Sequence, residues 1–314
     1  MSEKEILYLE CYSGISGDMT VAALLDLGAD QKVLMDVLHS LPLSGYHVEI
    51  SRVMKSGIDA CDFNVILDEE HDNHDHDMEY LYGHSNDFQK ESHQHNKDLE
   101  AENHQQNEGL EAEKHQHDED LKGYNHEHFH EHTHKNGHHH HIHRGMKEIC
   151  DIIEKCEMTT EAKSIAVKIF TILAEAESKA HNVPIEQVHF HEVGAVDSIV
   201  DIIATAVCLD NLGVKDVVVT ELRDGTGTVR CQHGILPVPV PAVLNIIQAN
   251  HLNLQIMNWK GEFVTPTGAA IVAAVKTEDE LPKRFRVKKI GIGAGKRVYD
   301  GPGMLRAMLI EKNI

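Results

Sequence analysis

Apolar residues crowd the opening of the chain, where Ile6 to Cys11 reads as a buried strand. Ser13-Gly14-Ile15-Ser16-Gly17-Asp18 then turns the chain into a helix expected to begin near Met19. Two apolar sets at helical spacing follow: Val21, Leu24 and Leu25, then Val33, Leu34, Val37 and Leu38. They predict two short helices broken at Gly28. Tyr46 to Met54 and Ile58 to Leu67 have the character of strands, and Ser56-Gly57 between them makes a hairpin the simplest reading.

The pattern stops at Asp68 and does not resume until about Arg144. Residues 68–143 hold 19 of the 26 histidines and 20 Asp or Glu against 5 Lys, so this window carries −15 of the formal −22. It also repeats every 11 residues, from Phe88, Leu99 and Leu110 with a degenerate copy from Leu121, which keeps His93, His104, His115 and His126 in register. An 11-residue period is about 3.67 residues per helical turn, so a helical form would align these histidines in one stripe. With one apolar residue per repeat the window cannot bury enough surface to fold alone, and disorder without metal is expected.

Beyond the insert, Ile165, Ile169, Ile172, Leu173 and Ala176 keep helical spacing after Thr160, with Asn182 and Pro184 as the stop. A second helix is expected from about Val193 to Leu212, ended by Gly213. Val217 to Thr220 reads as a short strand, Pro241 to Gln248 and Pro266 to Val275 as helices, and Phe285 to Ile292 and Met304 to Ile310 as closing strands. The expected fold is α/β, a mixed α+β sheet with packed helices, interrupted by a long disordered His-rich insert. Residues 1–67 and 144–314 would form the core, and 68–143 the insert.

A charge this negative repels phosphate backbones and anionic lipid, which excludes nucleic acid and membrane surfaces as partners and favours cations. No apolar run reaches the roughly 20 residues of a membrane helix, and the start of the chain has no signal-peptide core, so a cytoplasmic protein is expected. The six cysteines contain no C-x-x-C pair and read as reduced thiols, mostly buried. Cys11 and Cys231 are the candidates for exceptions, since both adjoin other suspect residues.

The insert supplies H-x-H units at His74/His76, His93/His95 and His115/His117, then His126, His128, His130, His132 and His134, then His138, His139, His140, His141 and His143. In an extended chain residues i and i+2 face the same way, so each unit can offer two imidazoles to one metal. Imidazole suits nickel, zinc, copper and cobalt alike. Binding should be multiple, labile and strongest above the imidazole pKa of about 6.5, which suits a reservoir. A solvated polar linker is the bland alternative.

Elsewhere the densest chemistry runs from His189 to Asp201. His189, His191 and Glu192 precede a helix on which Asp197 and Asp201, four apart, share a face. This supplies nitrogen and oxygen donors for a metal or for acid–base work. The competing reading is a helix start capped by solvated carboxylates. Cys231 and His233 could bind soft metal or serve as ordinary strand and turn residues, and the sequence leaves both open. Ser16, Gly17 and Asp18 at one helix entrance, with Asp18 as N-cap or ligand, and Thr265 and Thr267 at another, could hold a phosphate on backbone N–H groups. Gly291 to Gly295 followed by Lys296 reads as a Gly-rich turn that does not match the phosphate-loop spacing. Glu221 to Asp224 is assigned no site residue.

Four strings taken in order resemble one family: I-L-Y-L-E-C-Y-S-G-I-S-G-D-M from Ile6, V-H-F-H-E-V-G-A-V-D-S-I-V-D-I from Val188, H-G-I-L-P-V-P-V-P-A from His233 and V-T-P-T-G-A-A from Val264. They resemble the LarC nickel insertion proteins, which mature the nickel-pincer cofactor of lactate racemase. The resemblance implies insertion of Ni2+ into pyridinium-3,5-bisthiocarboxylic acid mononucleotide, with CTP hydrolysed alongside Mn2+ or Mg2+, in a cytoplasmic homo-oligomer working with lactate racemase pathway proteins. It also implies a nucleotide-binding C-terminal region beyond the position of Ile314, so either a companion polypeptide completes the enzyme or this piece binds nickel without inserting it alone. In this reading His189, His191, Glu192, Asp197 and His233 position metal and acceptor. The alternatives are a nickel store or metallochaperone without catalysis, and a metal-dependent hydrolase. The hydrolase is disfavoured because the further spaced His and Asp set of a two-metal site is missing from the sequence.

Overall fold

The computed structural model describes residues 5–68, 144–188, 190, 195–231, 234–298 and 301–312. The expectations for the His-rich insert, including all its candidate metal ligands, lie outside the described residues, as do those for His189, His191, Glu192 and His233.

The first strand, β1 (Glu5–Glu10), leads through a tight loop into helix α1 (Gly17–Leu27). Gly28 ends α1 in the left-handed region at φ 119°, and its N–H and that of Ala29 return to the Leu24 and Leu25 carbonyls. Helix α2 (Gln31–His39) is capped by Asp30, whose carboxylate accepts the N–H groups of Lys32 and Val33. The two helices broken at Gly28 are thus present, although α1 starts two residues before Met19. The hairpin is present too: β2 (Tyr46–Lys55) pairs antiparallel with β3 (Ile58–Leu67). Ser56 and Gly57 both have positive φ, 51° and 79°, the backbone a two-residue primed turn needs.

Helix α3 (Met146–Lys155) is an element the sequence reading missed; its Ile149 and Ile153 are buried, and the Gly145 N–H donates to the Glu148 carboxylate at 3.0 Å. Helix α4 (Thr160–His181) is capped by Thr159 rather than begun after Thr160, and ends at Asn182 in the left-handed region. Helix α5 (Val196–Leu212) starts three residues later than the expected Val193 and stops at Gly213 as expected. There follow β4 (Asp216–Val218), β5 (Leu222–Thr226), β6 (Thr228–Cys231), β7 (Gly234–Pro237), α6 (Pro241–Ala249), β8 (Leu254–Lys260), α7 (Pro266–Val275), β9 (Phe285–Ala294) and β10 (Met304–Lys312). Strands β5 to β8 are additional to the elements the sequence predicts, and they pair as β5 with β8 and β6 with β7.

A six-stranded mixed sheet, ordered β2-β3-β9-β10-β1-β4, forms the centre. Strand β1 pairs with β10, and β3 with β9, so the residues before and after the insert share one sheet. Leu7, Leu9, Phe63, Leu305 and Ala307 lie in the main core, together with α1, α5 and the inner faces of α4 and α7. A smaller cluster of Tyr8, Val218 and Ile310 lies apart from it. No described helix is long and apolar enough to cross a membrane.

Gly291 to Gly295 is not a free turn. Gly291 and Gly293 lie within β9, and a Cβ on Gly293 would stand 2.0 Å from the Met19 carbonyl oxygen. On Gly291 it would stand 2.2 Å from that of Ala23. Glycines two apart face the same side of a strand, and here they let α1 lie directly on the sheet. The packing places the N-terminus of α1 at one end of the sheet, beside α5.

Candidate functional site

Three helix N-termini carry the candidate residues, and the chain between Ile15 and Gly17 joins them. The Ile15 N–H donates to the Phe263 carbonyl at 2.8 Å, and the Thr265 N–H donates to the Ile15 carbonyl at 3.1 Å. Thr265 is the N-cap of α7, accepting the Gly268 N–H at 3.1 Å, and Thr267 is buried in the first turn. Gly268 lies so close that a Cβ there would sit 2.2 Å from the Ile15 carbonyl oxygen. The entrances of α1 and α7 therefore abut. On the other side, a Cβ on Gly17 would fall 2.6 Å from the Asp201 carboxylate, which brings α5 to the same point.

Ser16, not Asp18, is the N-cap of α1; Asp18 lies inside the first turn and accepts the Ser16 hydroxyl proton. The Asp18 N–H hydrogen-bonds to the Asp201 carboxyl. An acidic side chain in the first turn and a carboxylate on its N–H both complement the positive end of a helix dipole. They also mean that α1 already carries negative groups where an incoming phosphate would bind. The α7 entrance has no acidic residue in its first turn.

Asp197 and Asp201 are not simply solvated. Both are part-exposed as residues, yet their Oδ1 atoms are shielded from solvent, and Oδ1 of Asp201 has no hydrogen-bond partner among the described residues. Burial, followed by the charge of Asp18, pushes the Asp201 carboxyl well above the usual range, while Lys296 opposes that rise. Asp62 is raised too, chiefly by burial. Lys55, lowered chiefly by burial, donates to the carbonyls of Gly295 at 2.7 Å and Arg297 at 2.9 Å and so holds the loop that carries Lys296. The cluster sets the acidic Asp18, Asp62, Asp197 and Asp201 against Lys55 and Lys296. Among the described residues, no group of three His, Cys, Asp or Glu side chains stands close enough to hold a metal ion.

A family model for the nickel insertion protein matches residues 7–314. The chain belongs to that family. A relative from Alkaliphilus metalliredigens is 49% identical over 308 residues, spanning 98% of this chain and 61% of its own length. Another from Clostridium acetobutylicum is 40% identical, over 98% of this chain and 64% of its own, and one from Geobacillus kaustophilus is 36% identical, over 98% and 60%. All three are named pyridinium-3,5-bisthiocarboxylic acid mononucleotide nickel insertion protein. The chain spans about three fifths of the length of these curated relatives. No solved structure matches it.

Cysteine thiolates are soft donors that suit nickel, and Cys11 stands out in the sequence because it adjoins other suspect residues. The structure removes it. Cys11 is fully buried, its thiol faces the Leu9 carbonyl at 3.7 Å, and burial pushes its pKa far up. Burial likewise pushes Cys61 to about 11 and Cys208 to about 12, while Cys150 and Cys231 are part-exposed. Alkylation of the native protein with iodoacetamide at pH 8 should therefore modify Cys150 and Cys231 well before Cys11, Cys61 and Cys208. Peptide mass mapping checks the order.

Asp224, in the stretch assigned no site residue, proves to touch this junction. It is completely buried and accepts the N–H groups of Phe263 and Val264, which adjoin the contact between the α1 and α7 entrances. Its signal in the sequence is faint: an acidic residue followed by Gly225 in a short strand.

Proposed function

We propose that this chain gathers Ni2+ on its His-rich tract and delivers it into pyridinium-3,5-bisthiocarboxylic acid mononucleotide, as the cytoplasmic maturation enzyme of the nickel-pincer cofactor used by lactate racemase. One observation carries the reading. At the contact of α1 and α5, Asp201 presents a shielded carboxylate oxygen, without a partner among the described residues, next to Asp18. Two neighbouring carboxylates in low-dielectric surroundings repel each other, and a divalent cation relieves the repulsion. Asp197 lies one turn before Asp201, and His189, His191 and Glu192 immediately precede the helix in sequence; the described carboxylates alone do not make a three-ligand site, so the reading relies on these side chains to complete it. Imidazole with carboxylate is a donor set nickel accepts, and mixed donors of modest strength suit a metal that must be handed on.

The acceptor's phosphate belongs at the other entrance. Helix α7 offers its N-terminal dipole and the Thr265 and Thr267 positions without a first-turn carboxylate. Ser16 and Gly17 lie between the two, where metal and thiocarboxylates would meet. His233, two residues after Cys231, is assigned to the metal side. Insertion as a nickel-chelating lyase reaction, homo-oligomeric assembly and completion by a C-terminal companion polypeptide belong to the same proposal. For CTP with Mn2+ or Mg2+ the described residues do not fit: they contain no group of three metal ligands, and the α1 entrance is filled by carboxylates.

The test separates reservoir from delivery site. Deleting 71–143 should lower nickel stoichiometry while insertion persists at saturating Ni2+; insertion lost outright would make the tract more than a reservoir. His189→Ala with His191→Ala should abolish insertion while most bound nickel remains, as read by metal analysis beside product formation. Unchanged insertion in that double variant would remove the α5 entrance from the reaction.

A further inference from the structure

A buried carboxylate with no cationic partner is costly, and its retention calls for a task that its neighbours define. Asp224 on β5 has no accessible surface, and no charged side chain enters the causes of its raised pKa, which burial dominates against three N–H donors. Its Oδ1 accepts Gly225 N–H at 2.8 Å, Phe263 N–H at 2.8 Å and Val264 N–H at 3.2 Å. Oδ2 is buried without a hydrogen-bond partner among the described residues.

The Phe263–Thr265 strap uses its two sides differently. Its Phe263 carbonyl and Thr265 N–H clasp Ile15, and Thr265 caps α7; its Phe263 and Val264 N–H groups face Asp224. The strap has little room to settle elsewhere. A Cβ on Gly14 would lie 2.1 Å from the Phe263 carbonyl oxygen, and one on Gly225 would lie 2.2 Å from that of Gly261. We propose that Asp224 is a positioning residue that sets the spacing between the α1 and α7 entrances by holding the Phe263–Thr265 strap. This rests on the reading that those entrances receive the acceptor nucleotide.

Position and charge can be separated. Asp224→Asn keeps an oxygen acceptor at the same place and removes the charge. Asp224→Glu keeps the charge and displaces the oxygens by one methylene. Gly268→Ala spreads the entrances directly, since its new Cβ meets the Ile15 carbonyl. Insertion into the thiocarboxylate nucleotide would be measured with each full chain at saturating Ni2+, together with total bound nickel, the thermal midpoint and the emission of Trp259. Trp259 is the sole tryptophan, and its ring lies 5.4 Å from that of Phe263, so it reports on the strap.

Asp224→Glu and Gly268→Ala should raise the acceptor concentration for half-maximal rate at least about tenfold, because small misplacements of a binding group are severe. Bound nickel should not change. Asp224→Asn should stay within about threefold of wild type and keep the Trp259 emission, with the spacing conserved. Asp224→Asn losing as much as Asp224→Glu, or Asp224→Glu matching wild type in both half-saturation and emission, would overturn the proposal. Should Asp224→Glu fail to fold, the Asp224→Asn result decides alone. A wild-type chain that inserts no nickel, with its companion segment supplied, would instead refute the functional reading. In that case the emission of Trp259 in the two Asp224 variants still decides the role of the strap.

Discussion

Replacing Gly293 by alanine should destabilise the protein by about 3 kcal/mol or more, at the upper end of what overpacking a core costs. The reason is the partner. The added methyl would meet backbone on α1, the Met19 carbonyl oxygen at 2.0 Å and the Ala23 nitrogen at 2.6 Å, and helix backbone cannot turn aside as a side chain does. Relief requires lifting α1 off β9 along its length. Gly295 supplies the control, because a Cβ there meets the Met19 sulfur at 3.0 Å, the mobile part of an unbranched side chain, and the nearest backbone atom, the Gly303 carbonyl oxygen, only at 3.3 Å. Gly295→Ala should therefore cost less than about 1 kcal/mol. Thermal midpoints measure both. At about 2 to 4 °C per kcal/mol for a domain of this size, Gly293→Ala should lower the midpoint by roughly 6 to 12 °C. Equal midpoints for the two variants would contradict the close packing of α1 on the sheet.

Asp201→Asn should separate stability from function. Burial and the nearby Asp18 charge raise the Asp201 carboxyl well above its usual range in the folded, metal-free chain. A raised folded pKa means that the native state holds the proton more tightly than the unfolded chain. Its contribution is thus fully present below the unfolded value of about 3.9 and is lost as pH rises through the folded pKa. Asparagine does not titrate. Metal-free wild type should accordingly lose stability relative to Asp201→Asn as pH is raised from about 4 toward neutrality, with the variant the more stable at pH 7. Urea unfolding across that interval checks the sign, and a constant difference would refute it. Nickel insertion should fall by about 10- to 100-fold in the same variant, the loss typical of weakening a metal's surroundings. A gain in stability paired with a loss of activity is what a residue retained for function shows.

Local geometry was legible in the sequence wherever one short segment determines it. Ser56-Gly57 supplies both positive-φ residues of its turn, Gly28 and Gly213 supply left-handed helix ends, and the β2–β3 hairpin and the helices they bound followed. Pairing at a distance was not legible. Strand β5 contains one large apolar residue, Leu222, and its partner β8 lies some thirty residues on, so neither periodicity nor turn chemistry announces a parallel pair. Helix α3 carries a regular set of Met146, Ile149, Ile152 and Ile153, but it begins where the polar insert ends and its pattern is only ten residues long. Gly291 and Gly293 misled for a different reason: glycine marks turns and close approaches alike, and only the presence of α1 tells which. At the site, the sequence named both abutting helix entrances and the Asp197/Asp201 face. It could not tell a solvated Asp201 from a shielded one, because shielding comes from Gly17 on another helix. Asp224 was invisible for the same cause, the N–H groups it accepts being nearly forty residues away.

The chain is held by backbone hydrogen bonds on both sides of the histidine tract. It departs after Asp68, whose N–H is held by the Gly45 carbonyl, and is again described from Arg144, whose carbonyl takes the Phe190 N–H at 3.1 Å. Phe190 is the residue between His189 and His191, and Arg144 directly follows His143 in sequence. The residue that follows the tract in sequence is thus hydrogen-bonded to the residue between His189 and His191. On the proposed reading, in which the tract supplies nickel to that entrance, transfer would be an intramolecular event governed by an effective concentration. Delivery on that reading would depend little on free nickel in the surrounding solution.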